Sequence, residues 1–209
     1  MLITAIEKRK GTQCAVYIEG EYAMMLDAEL IYNRGLRAGL EVDRDDIYEL
    51  KRQCDLRRTR ERALYLLGYK SHTKKELFLK LAKTSDEELA GEVTARMEEL
   101  GLLNDEEYAQ RFANRLVNSK SYGINRVRQE LTKKGIDRDI IDNTLAELSQ
   151  VTDTDEKLKS IIDKKYARYL DDKKGIDKTI NALLRLGYRF DDIRRALRYY
   201  ADNFEVNDE

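Results

Sequence analysis

The chain lacks proline and tryptophan altogether, and it holds one histidine and two cysteines in 209 residues. Without proline, nothing in the sequence is bound to break a helix from within. Cys14 and Cys54 fall in different predicted elements with no CxxC pair, so neither a disulfide framework nor a zinc site is expected. His72, the only histidine, has no nucleophile or ligand partner beside it in sequence. There is no glycine-rich phosphate loop, no GxSxG and no metal-ligand cluster, which sets enzymes last among the function classes and predicts no cofactor and no metal. No apolar stretch approaches the roughly 20 residues of a membrane span. Met1 to Lys8 lack the apolar core of a secretory signal, so a cytoplasmic protein with no membrane contact is expected.

What the sequence does contain is balanced charge. Lys and Arg number 39 against 40 Asp and Glu, and charged residues make up 38% of the chain. Glu, Lys and Arg mixed with Leu and Ala favour amphipathic helices, so the expected fold is mainly α. The isoelectric point of about 6.1 rules out a generic polycation.

Residues 1–53 read differently. Strand-like runs at Leu2 to Ile6, Ala15 to Ile18 and Tyr22 to Leu26, punctuated by Gly11 and Gly20, predict a small three-strand meander. Asp27 is placed to cap a short helix ending near Gly35 or Gly39. Asp43 is placed to cap another that carries Ile47, Leu50 and Cys54 on one face. No glycine interrupts residues 40–67, so this helix can run on into the body.

Beyond it lies an internal repeat. Val93, Met97 and Leu100 share their i, i+4, i+7 spacing with Ile141, Leu145 and Leu148, and with Ile193, Leu197 and Tyr200. Leu77 and Leu81 correspond to Val127 and Leu131 at an offset of 50, and these to Thr179 and Leu183 at 52, with Thr179 breaking the apolar pattern. Gly135-Ile136 and Gly187-Tyr188 stand at the same place after the second helix, where glycine suits the left-handed end. First helices are expected around 55–67, 105–119 and 155–170, where Ala63 and Leu66 match Ala113 and Leu116. Thr73-Lys74-Lys75-Glu76 has the spacing of a capping box, and Asn104 or Asp105 is placed to cap the helix carrying Tyr108 and Phe112. The expectation is three tandem three-helix modules at 54–104, 105–152 and 153–204, forming an elongated curved array of nine helices, with a small N-terminal β/α cap and an acidic tail at 205–209.

Charge follows the same period. Residues 51–80 hold ten bases and three acids, and residues 81–110 hold two and nine. Residues 111–135 hold seven and one, 136–163 three and eight, and 164–198 eleven and five. Basic charge therefore belongs mainly to the first two helices of each module, a layout suited to a polyanion or a polyanion-coated filament. The basic surface expected to meet it comprises Arg57, Arg58, Lys74, Lys75, Arg111, Arg115, Arg126, Arg128, Lys133, Lys134, Lys164, Lys165, Arg185, Arg194 and Arg195. Arg126 and Lys133 share a helix face away from Ile124, Val127 and Leu131, free to meet phosphate or acidic protein groups. Arg111 and Arg115 are as readily satisfied within their own helix, by Glu107 for example. Tyr108 and Phe112 read as core, His72 as a residue at a helix start, and Asp191-Asp192 as capping or dipole groups rather than a catalytic pair, since Asp139 occupies the position of Asp191.

The stretch from Gly68 through Lys74-Lys75-Glu76-Leu77, the block Gly101-Leu102-Leu103-Asn104-Asp105-Glu106-Glu107-Tyr108-Ala109, and Ser121-Tyr122-Gly123-Ile124-Asn125-Arg126 onward to Lys134-Gly135-Ile136 resemble the RecX family. Gly187-Tyr188-Arg189-Phe190-Asp191-Asp192-Ile193 is similar to that family's closing module, and the resemblance covers about 55–201, leaving the N-terminal strands outside it. It implies a non-enzymatic regulator, built of three-helix repeats, that docks in the groove of the RecA–single-stranded DNA filament. Such a regulator modulates strand exchange, ATP hydrolysis and coprotease activity, usually downward, within DNA repair, recombination and the SOS response. The expected partner is that filament, with weak direct nucleic-acid binding at most and a monomeric chain. A helical-repeat DNA-binding protein and a scaffold for another protein partner are the alternatives.

Overall fold

The structure, a computed structural model, describes residues 1–205; residues 206–209, nearly all of the expected acidic tail, lie outside the described residues. The chain divides into two compact units. One holds Met1–Lys70 and Leu77–Leu100, and the other holds Ser71–Glu76 and the chain from Gly101 onward.

The first unit opens with strands β1 (Ile3–Lys8), β2 (Gln13–Ile18) and β3 (Glu21–Asp27), an antiparallel meander in the order β1-β2-β3. Glu19 and Gly20 both take positive φ, 53° and 85°, and form the two-residue turn whose twist suits a right-twisted hairpin. Alternation places Ile3, Val16, Ile18, Met24 and Leu26 on one face, where they pack with Val42, Leu50 and Cys54. Asp27 precedes α1 (Ala28–Asn33) but does not cap it through its side chain. Its carboxylate instead accepts from Thr12 Oγ1 at 3.0 Å and Gln13 Nε2 at 2.9 Å, tying two strands together. The short helix stops at Asn33, before Gly35 turns left-handed at φ 62°. Asp43 does cap its helix, accepting from the Asp46 N–H at 2.7 Å.

That helix, α2 (Arg44–Tyr69), runs unbroken through residue 54, so no linker separates cap from body. Leu50 and Cys54 face the sheet, while Ala63 and Leu66 continue the buried side alongside α4 (Glu87–Glu99). Leu100 departs from its expected stripe. It ends α4 as a half-exposed cap, whereas Val93 and Met97 are buried.

The second unit contains α5 (Asp105–Lys120), α6 (Ile124–Lys133), α7 (Arg138–Val151), α8 (Thr154–Lys165), α9 (Lys173–Leu186) and α10 (Phe190–Glu205). With α3 (Lys74–Leu81), α4 and the latter part of α2, nine α-helices and no strand follow residue 54 among the described residues. The mainly helical fold with a small N-terminal sheet is as expected. Val127, Leu131, Ile141, Leu145 and Leu148 form one core with Ala113 and Leu116; Leu158, Ile162, Leu183 and Ile193 form the next. Thr179, the apparent break, is fully buried because its hydroxyl bonds back to the Gly175 carbonyl at 2.9 Å.

The helix expected around 155–170 is shorter than that. α8 ends at Lys165, and a 3-10 turn at Ala167–Tyr169 leads into α9, capped by Asp172. A Cβ on Gly175 would lie 1.8 Å from the Tyr169 carbonyl oxygen, so only glycine lets the turn fold this tightly onto the helix.

Within the second unit, second helices meet end to end. The Gly123 N–H, at the start of α6, donates to the Leu186 carbonyl at the end of α9 at 2.8 Å, and the Asn125 N–H to that of Gly187 at 3.1 Å. A Cβ on Gly123 would come within 2.5 Å of the Gly187 backbone. In the same way, Thr73 Oγ1 at the start of α3 donates to the Lys134 carbonyl at the end of α6, at 2.8 Å. The capping box forms as expected: Thr73 Oγ1 accepts from the Glu76 N–H at 3.1 Å, with Glu76 reaching back to the Thr73 N–H at 3.4 Å. Asn104 caps α5, and Asp105 accepts from the Lys74 N–H at 2.9 Å.

Candidate functional site

The α6 helix buries Val127 and Leu131 and turns Arg126, Gln129 and Lys133 outward. These cations are not free, contrary to expectation. Arg126 lies 3.2 Å from Glu130, with its guanidinium 5.6 Å from the Tyr122 ring centre, and Lys133 donates to the same Glu130 at 3.0 Å. The Lys133 ammonium, helped by Arg126, holds the Glu130 carboxyl below the usual carboxylate range. Arg128 is paired with Asp142, and Lys134 donates to Glu76 at 2.6 Å. At spacings of three and four, one acid on a helix face satisfies cations on both sides of it.

Around Lys134 the packing is tighter. Its ammonium lies 5.7 Å from the Phe112 ring centre and near Tyr108, whose hydroxyl is pushed up by burial and by the nearby Glu76. Burial alone raises Glu76, but the bond and charge of Lys134 outweigh it and hold the carboxyl low. Lys134 is raised in turn, chiefly by Glu76. Tyr108 and Phe112 are thus only partly buried, at the rim of the core rather than inside it.

Carrying the offset of 52 onto α9 places Lys178, Asn181 and Arg185 where α6 has Arg126, Gln129 and Lys133, and Ala182 where it has Glu130. Lys174 stands one turn before Lys178. Among the described residues Lys174, Lys178 and Arg185 have no ion pair, and all three are exposed. The same holds for Lys164 and Lys165 in the last turn of α8 and for Arg194 on α10. Since the start of α6 abuts the end of α9, the two basic strips follow one another along the second unit. The open part lies on α8, α9 and α10, and it includes Lys174 and Lys178, which the charge runs do not single out; the 52-residue offset and Ala182 are the signals.

The remaining expected residues scatter. Arg57 bonds Glu61 and Glu29, each at 3.2 Å, which raise it. Arg58 reaches back to Gln13 at 3.2 Å and lies 3.9 Å from Asp55. Arg111 pairs with Glu107 at 3.4 Å, as the helical spacing allows, while Arg115 lies over the Phe112 ring at 5.1 Å. The aliphatic stem of Lys75 packs against Gly135, and the Lys74 side chain is half-exposed. Arg195 forks onto Asp155 and also bonds Asp192, so one of the two adjacent carboxylates serves as an ion-pair partner. His72 is buried just before α3. Among the described residues no group of three His, Cys, Asp or Glu is arranged to hold a metal ion, and no helix is long and apolar enough to cross a membrane.

A family model described as RecX, second three-helix domain, matches residues 104–145, and one described as the Regulatory protein RecX N-terminal domain matches residues 1–43. A Regulatory protein RecX of Caldanaerobacter subterraneus subsp. tengcongensis is 31% identical over 199 residues, covering 94% of this chain and 98% of that protein. The chain belongs to the RecX family. A RecX of Bacillus velezensis is 31% identical over 97% of this chain and 77% of its own length. The crystal structure of a regulatory protein RecX superimposes with a TM-score of 0.68 over 93% of this chain and 98% of its own; at 24% identity it speaks for the fold alone. That of RecX from Lactobacillus salivarius, 28% identical, gives 0.62 over 69% of this chain and 96% of its own. The N-terminal match extends the likeness beyond the residues 55–201 that carried the resemblance in sequence, to the strands and the short helix after them.

Proposed function

We propose that this RecX-family chain is a non-enzymatic, cytoplasmic, monomeric regulator that binds the RecA–single-stranded DNA filament and lowers its recombinase, ATPase and coprotease activities. Its modules are taken as 54–104, 105–152 and 153–204 behind the N-terminal cap. The observation that carries the reading is the open basic strip on α9, Lys174, Lys178 and Arg185, continued on α6 by Arg126 and Lys133. A linear series of cations one and two helical turns apart suits a linear polyanion better than a compact anion. On α6 the strip is shared with Glu130, which tempers attraction for a bare phosphate chain and favours a surface presenting both phosphates and protein groups.

Co-sedimentation tests this directly. The chain should pellet with recombinase assembled on single strands, and far less with unassembled recombinase. Equal recovery with duplex DNA in the absence of recombinase would make it a DNA-binding helical-repeat protein instead.

A further inference from the structure

On the first unit, α2 carries a second exposed stripe that the basic strips do not explain. Arg58, Arg62, Tyr65 and Tyr69 stand at i, i+4, i+7 and i+11, on one face of the helix. Arg58 is tied back to Gln13 and to the Met25 carbonyl, leaving Arg62, Tyr65 and Tyr69 as the open end. Tyr65 is 67% exposed and Tyr69 81%. Arg62 stacks over the Tyr65 ring at 5.6 Å and has no ion pair among the described residues. Neither tyrosine ring is stacked on another aromatic ring among the described residues.

Two exposed rings, one of them with a guanidinium over one face and no acid paired to that guanidinium among the described residues, are the elements of a stacking platform on a helix: free ring faces take bases and the cation takes a phosphate. The spacing selects the strand type. Four residues separate the rings by about 6 Å along the helix, against about 3.4 Å between stacked duplex bases. A duplex hides its base faces and presents only edges in its grooves, whereas splayed bases of a single strand can each meet a ring.

We infer that Arg62, Tyr65 and Tyr69 form a sequence-tolerant contact for two unstacked bases of a single nucleic-acid strand. This goes beyond the proposed filament reading, because the contact needs no recombinase. An exposed tyrosine and arginine pair is also a common protein-interface motif. That no acid among the described residues is paired to Arg62, and that both tyrosines are exposed, favours the strand, and a protein occupant is an outcome of the test.

The chain has no tryptophan, so Tyr65→Trp supplies a single indole reporter at the site. Titrating this variant with oligothymidylate and no recombinase should quench its emission, and duplex of the same length should not. Measured with labelled oligothymidylate, Tyr65→Ala and Tyr69→Ala should each weaken binding by about fivefold or more, while Tyr65→Phe and Tyr69→Phe keep it, since stacking needs the ring and not the hydroxyl. Arg62→Gln should flatten the slope of log affinity against log salt by about 0.7. The alanine variants fold as the parent does, because the side chains are exposed and alanine favours helix. An unquenched indole, or alanine variants that bind bare strand as the parent does, overturns the inference. The second result, joined to weakened filament binding, makes the stripe a protein contact.

Discussion

Glu130 shows how one residue sets what its neighbours can do. It holds Arg126 and Lys133 in place, so Glu130→Ala should release both, strengthen binding to a polyanion and steepen its salt dependence by up to about 0.7–0.9 per released cation. A salt series on filament and on bare strand checks this; an unchanged slope means the pair is not at the interface. Leu131, fully buried on the opposite side of α6, should lose about 2–5 kcal/mol in denaturant melts on replacement by Ala. The Lys134 and Glu76 pair should behave as a partly exposed bridge worth about 1 kcal/mol or less. Glu76 is held low, so its share is present above the usual carboxylate range and fades as pH falls through its folded value. Lys134 is raised, so its share is present below the usual amine range and fades as pH rises through its folded value. The stability gap between the parent and Lys134→Met should therefore be flat around neutral pH and close at both extremes.

At the scale of elements, glycine decides how α6 meets α9. A Cβ at Gly123 meets the Gly187 backbone, which cannot retreat like the end of a side chain, so Gly123→Ala should destabilise the second unit by about 1–3 kcal/mol. Gly68 in α2 meets nothing within 4 Å, and Gly68→Ala should be neutral or stabilise by up to about 1 kcal/mol. Thermal melts of the two variants moving in the same direction would refute the end-to-end packing of α6 on α9. Periods, caps and the turns after second helices were legible in sequence because they are local: Asp43, Thr73 and Asn104 cap as their spacing predicts. Asp27 misled because its side chain was claimed by Thr12 and Gln13, residues distant in sequence that the hairpin brings back. Helix spacing alone likewise does not show that Asp105 turns to the start of α3.

Over the whole molecule, charge runs located basic helices but not open charge. Runs count residues, whereas a binding face depends on which cations lack acids at three or four positions' distance or across a packed helix. By that measure α6 is largely paired, and α9 carries the open strip. The exposed tyrosines of α2 escaped notice because an aromatic at helical spacing usually marks a core, and only the fold shows which side of α2 faces the sheet. The most direct measurement is the ATPase rate of RecA on single-stranded DNA, titrated with the parent and with a Lys174→Glu, Lys178→Glu, Arg185→Glu variant verified as folded. The account predicts that the parent lowers the rate and that the variant needs at least about tenfold more protein for the same effect. Equal potency of the two would contradict it.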